Sequence, residues 1–159
     1  MAIDPTTEVA FTVDQIAPAT AAVADVLSKA EGWVNLSPEV EPGTEPPRRN
    51  LFAAIFSSRG PALPLATVSP SGTDDGLLAL GLQHPGGVKA LDTLAAAGHR
   101  LPEGWRKVSD HPRRGFVVSA PSTTSPDRIV RWLVDGAVLL TDHDLVEITD
   151  HWVARSYQP

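Results

Sequence analysis

A near-continuous apolar run, Leu77-Leu78-Ala79-Leu80-Gly81-Leu82, stands between two clusters of turn-forming residues. Pro70-Ser71-Gly72-Thr73-Asp74-Asp75 precedes it and His84-Pro85-Gly86-Gly87 follows it. A short apolar run bounded in this way fits a central strand, buried on both faces. It is far too short to cross a bilayer, which takes about 20 apolar residues. A central strand needs neighbours on both sides, so the chain is expected to build a sheet around it. Leu51–Ser57 reads as one strand, Arg59-Gly60-Pro61 as a turn, and Leu63–Ser69 as its partner, with Pro64 suggesting an edge. Trp105–Ser109 and Gly115–Ala120 read as a hairpin joined by Asp110-His111-Pro112-Arg113-Arg114.

Helical spacing appears in three further segments. Ile16, Val23, Val26, Leu27 and Ala30 give the first helix one buried face, starting between Asp14 and Pro18 and ending at Gly32. Val88, Leu91, Leu94 and Ala95 give the second, closed by Gly98. The third has the clearest start in the chain, Ser122-Thr123-Thr124-Ser125-Pro126-Asp127, with a hydroxyl cap, proline in the first turn and an acid beside it. Leu145 to Val153 can be wheeled as a tail helix or as a continuation of the third. Residues 34–50 hold Pro38, Pro42, Pro46 and Pro47 and read as a proline-rich surface loop. Residues 1–13 read as a flexible N-terminus, with Val9-Ala10-Phe11 able to dock, and 14–159 as a single domain. The expected fold class is α+β: a two-layer domain with an about five-stranded, largely antiparallel sheet, element order α-β-β-β-α-β-β-α, and a C-terminal tail helix.

That order of elements is similar to the order in small dimeric secretion chaperones and their cytoplasmic relatives. The resemblance implies a homodimer presenting apolar grooves to a protein client.

Composition removes several classes of function. The chain has no cysteine, which excludes disulfides, thiol nucleophiles and cysteine-type zinc sites. A net charge of −6 argues against non-specific nucleic-acid binding, which depends on cationic neutralisation of phosphates. The N-terminus shows neither a basic region nor an apolar run of the export type, and no segment is long enough for a membrane span, so a cytoplasmic protein is expected. No nucleotide-binding glycine motif and no G-x-S-x-G occurs, and no cofactor is indicated. The charge is uneven: residues 1–47 carry −7, residues 48–134 carry +5 and residues 135–159 carry −4. Acidic ends around a basic middle fit self-complementary association, or balance within one fold.

Three constellations are candidates for contact or chemistry. Arg100, Arg106, Lys107, His111, Arg113 and Arg114 form a basic cluster over 99–114, opposed only by Glu103 and Asp110. Arginine pairs recognise carboxylate and phosphate, and the same charges also keep an edge strand from aggregating. His84, Gly86 and Gly87 stand where the apolar strand meets a helix, a place where free N–H groups suit an anion; the plainer reading is a tight turn. His143, Glu147 and His151 would stack on one helical face, but the outer pair would lie about 12 Å apart, too far for one ion, so the row reads as a solvated face. The resulting expectation is a non-enzymatic, cytoplasmic protein-binding module, chaperone-like and homodimeric, using the basic hairpin. The alternative is a small-molecule or anion-binding domain, conceivably enzymatic, centred on His84–Gly87 and the arginine cluster.

Overall fold

The computed structural model describes residues 4–40, 63–70, 76–87, 89–144 and 146–159. Among them the elements run β1 (Thr7–Thr12), α1 (Ala17–Lys29), β2 (Trp33–Val40), β3 (Leu65–Pro70), β4 (Leu77–Gln83), α2 (Ala90–Ala96), β5 (Arg106–His111), β6 (Gly115–Pro121), α3 (Pro126–Leu140) and β7 (Ile148–Tyr157). The seven strands form one sheet in the order β1-β7-β2-β3-β4-β6-β5. Every pairing is antiparallel.

β4 lies inside the sheet, between β3 and β6, as its apolar run requires. It is not buried equally on both faces. Leu78, Leu80 and Leu82 point into the core, whereas Ala79 and Gly81 are half-buried and Leu77 is 38% exposed. The same alternation runs across the sheet. Leu36 of β2, Val68 of β3, Phe116 and Val118 of β6 and Trp152 of β7 are all buried in one cluster. Side chains alternate along a strand, so these positions share one face. Val23 and Val26 of α1 and Ile129, Leu133 and Ala137 of α3 close that face. The opposite face mixes apolar and polar residues: Trp33 stacks on Tyr157 with ring centroids 5.1 Å apart, and the Thr67 hydroxyl donates to Asn35 Oδ1 at 2.8 Å.

The start of α3 follows from its sequence. Ser125 Oγ accepts the Arg128 N–H at 3.3 Å, Pro126 opens the first turn and Asp127 follows.

The five-stranded architecture is overturned. The described order is β-α-β-β-β-α-β-β-α-β, with seven strands. The α+β class and the antiparallel pairing remain. The likeness to secretion chaperones rested on an element order that the chain does not have, and it falls with that order.

Each difference has a physical cause. The tail helix is instead strand β7, which pairs with β1 on one side and β2 on the other. Its apolar residues fit a helical wheel, but Ile148, Thr149, Trp152, Val153 and Tyr157 are strand formers, and two neighbours satisfy its backbone. The N-terminal segment expected to be frayed contains β1, which pairs with β7 from Thr7↔Ser156 to Thr12↔His151. The expected proline-rich loop begins as strand β2. Pro38 is tolerated there because β2 pairs with β3 only over Val34–Leu36, and the ladder to β7 shifts register between Pro38 and Val40. β3 was expected at an edge, yet it lies between β2 and β4, because Pro64 precedes the strand and makes no demand on its ladder. The strand expected at Leu51–Ser57, the turn at Arg59–Pro61 and the rest of the proline-rich segment lie outside the described residues. Among the described residues no helix is long and apolar enough to cross a membrane.

Candidate functional site: the basic edge hairpin

Among the described residues β5 is the last strand of the sheet and pairs only with β6. Arg106, Lys107, Val108 and Ser109 are all exposed. The register runs Arg106↔Ser119 and Lys107↔Val118, then resumes at Ser109↔Val117. Val108 is therefore an extra, unpaired residue in a bulge, and it is 64% exposed. A bulge and a run of cations are two of the usual ways in which a sheet edge is kept from adding further strands.

The turn is held from within. His111 Nδ1 accepts the N–H groups of Arg113 at 3.1 Å and Arg114 at 3.2 Å, and both arginines are exposed. Gly115 closes the turn at φ 82°, and a β-carbon there would run into the Leu82 carbonyl of β4. The strand behind is anchored by Phe116, Val118 and Ala120 in the core. Asp110 ties the hairpin to α2, since its Oδ2 accepts the Leu91 N–H at 3.1 Å. β5 and its turn thus carry Arg106, Lys107, His111, Arg113 and Arg114 along one edge of the sheet, with Arg106 and Lys107 on opposite faces.

Arg100 stands apart from that edge. It lines a hollow of about 560 Å³ with Arg128 and Arg131 of α3 and the edge of Trp132. The Trp132 indole N–H donates to the Arg100 carbonyl at 2.9 Å, which fixes the backbone of this segment. Trp132 is the hub of an aromatic group, with His99 stacked at 4.9 Å, Trp105 edge-on at 5.3 Å and Phe116 edge-on at 5.9 Å. Arg128 and Arg131 escape a linear reading because they are separated from Arg100 by the whole β5–β6 hairpin. Their three-residue spacing on a helix was the available signal.

The His84 turn has a different character. His84 is fully buried, and its Nδ1 accepts the Gly86 N–H at 3.0 Å. Its ring lies 5.9 Å from that of Phe116. Burial lowers the imidazole pKa below the ordinary value, and the Asp110 carboxylate partly opposes this. Nε2 of His84 and Oδ1 of Asp110 are both buried without a hydrogen-bond partner. The Gly86 N–H that would have met an anion is committed to the histidine. α2 has only seven residues, and none of the hollows along α3 is lined by His84, Gly86 or Gly87. Neither of these two hollows brings the histidine together with the arginines.

The row His143, Glu147 and His151 does not form a face, because the helix that would have stacked it does not exist. His143 lies after α3 and His151 within β7. Among the described residues no group of three or more histidine, aspartate or glutamate side chains is placed to hold a metal ion.

No family model, no curated protein and no solved structure matches this chain.

Proposed function

We propose that the protein is a non-enzymatic binding module that docks an acidic protein surface on the β5–β6 hairpin. The observation that carries this reading is the edge position of β5, with Arg106 and Lys107 exposed on the strand and Arg113 and Arg114 exposed at its turn. The bulge at Val108 interrupts the outer backbone ladder, so recognition runs through side chains rather than by adding a strand. Guanidinium groups suit carboxylates, which they bind through paired hydrogen bonds.

The fold also gathers the opposite charge at the far edge. Residues 1–40 and 146–159 supply β1, β7 and β2 there, with Glu39, Glu147 and Asp150 toward one end of that edge and Glu8, paired with Arg155 at 2.9 Å, toward the other. A second copy is one acidic partner, engaged head to tail. A two-fold pairing of β5 with itself would set Arg106 and Lys107 against their own images, which is unfavourable.

The test is fluorescence polarisation with a labelled glutamate-rich peptide, alongside sedimentation of the protein alone. Wild type should bind the peptide in a salt-sensitive manner, since exposed charges are screened over about 8 Å at physiological ionic strength. The triple reversal Arg106→Glu, Lys107→Glu and Arg114→Glu should weaken binding at least tenfold. Equal affinity in the variant would refute the reading. Any concentration-dependent increase in mass should also vanish in the variant if the partner is a second copy.

A further inference from the structure

Beside the arginine-lined hollow runs a second one, of about 520 Å³, and the two share His99 and Asp135. Its walls come from the segment after α2, the outer side of α3 and the start of β7. Its chemistry is one-sided. Asp135 and Asp150 supply carboxylates, and neither lysine nor arginine lines it. Arg131 reaches Asp135 only at 3.8 Å, with both side chains more than 40% exposed, and one of its guanidinium N–H groups is engaged by the Val13 carbonyl. So long and exposed a pair is weak.

Two imidazoles flank the space in the same tautomeric arrangement. His99 Nε2 lies 2.9 Å from the Trp132 carbonyl, and His143 Nε2 lies 3.2 Å from the Val138 carbonyl. A carbonyl oxygen only accepts, so in each neutral ring Nε2 bears the hydrogen and Nδ1 is left as an acceptor. Stacking on Trp132 holds the His99 ring in place. Among the described residues neither Nδ1 has a partner.

The remaining lining is apolar. Val138, Leu139 and Ile148 form part of it, and Leu139 is 50% exposed. Carboxylates and histidine acceptors set around an apolar wall, with Arg131 only loosely paired from the neighbouring hollow, select a ligand that donates hydrogen bonds, carries positive charge and has a hydrocarbon body.

We propose that this hollow is a binding site for small organic amines, with the ammonium held by Asp135 and Asp150, its N–H groups shared with the histidine acceptors, and the hydrocarbon body against Leu139 and Ile148. The site is separate from the basic hairpin and does not depend on its function.

The test is a titration of the full chain with phenethylamine hydrochloride, followed by amide NMR, with 2-phenylethanol as the neutral control. Saturable shifts are expected at Gly98, Leu139 and Thr149, with affinity for the amine at least tenfold above that for the alcohol. Asp135→Asn with Asp150→Asn should lower amine affinity at least tenfold. Leu139→Arg, at an exposed position that leaves the fold intact, should abolish it by filling the hollow with a cation. The hairpin charge reversal should leave amine binding unchanged, so this site and the hairpin fail or stand separately. No saturable shift, equal binding of the alcohol, or undiminished binding in Leu139→Arg would overturn the proposal.

Discussion

His84 shows how one residue type can take a role that its sequence neighbourhood does not announce. Next to Pro85, Gly86 and Gly87 it resembles a ligand-binding turn, but it is a buried, neutral ring that accepts from Gly86 and packs on Phe116. Its pKa is lowered by burial, so the unfolded chain binds a proton that the folded chain resists. Stability is therefore fully present above the ordinary histidine value of 6.5 and is lost as pH falls from there toward the folded value. His84→Asn keeps an acceptor for Gly86 but cannot titrate in this range. Urea unfolding at several pH values should show wild type losing stability on acidification relative to this variant; parallel curves would contradict the assignment. Gly115 is constrained more strictly. Gly115→Ala should cost more than about 2 kcal/mol in the same assay, because a left-handed backbone and a clash with the Leu82 carbonyl act together.

At the level of elements, legibility follows how local the determinants are. α3 could be read because its cap, first-turn proline and apolar stripe all lie within its own segment. β4 could be read because its turns bound it closely, although its half-open second face could not, since Ala79 and Gly81 count as apolar whichever way they point. The hairpin β5–β6 was placed to within a residue or two, but the bulge at Val108 was not visible, because it is a matter of register with Val117 and Val118. β1 and β7 are not legible from their own segments. Each is defined by the other, across almost the whole chain, as the ion pair of Arg155 with Glu8 at 2.9 Å illustrates. In β7 Trp152 is fully buried beside Phe11. Trp152→Ala should therefore cost about 3–5 kcal/mol, in the range of large core truncations. Val108→Thr, on the exposed bulge, should stay within about 0.5 kcal/mol. Thermal or urea denaturation of the two variants checks both values.

For the whole molecule, the sheet turns a sequential charge pattern into a spatial one. Strands from the two acidic ends of the chain form the β1–β7–β2 side of the sheet, and the basic middle supplies the β5 edge opposite. The candidate contact surface was legible as a run of charge. That it sits on a free edge was not, because edge and centre are decided by which strands pair, and that depends on β1 and β7. Arg100 was grouped with the hairpin by proximity in sequence and belongs in space with Arg128 and Arg131. The basic hairpin acts as a docking edge only if β5 lacks an outer neighbour while β7 has one on each side. Amide hydrogen exchange of the dilute protein measures this directly. Slow exchange is expected throughout Trp152–Ser156, with alternating fast and slow amides along Arg106–His111. Rapid exchange across β7, or uniform protection along β5 at dilutions where the protein is monomeric, would contradict the assignment of the free edge and the surface built on it.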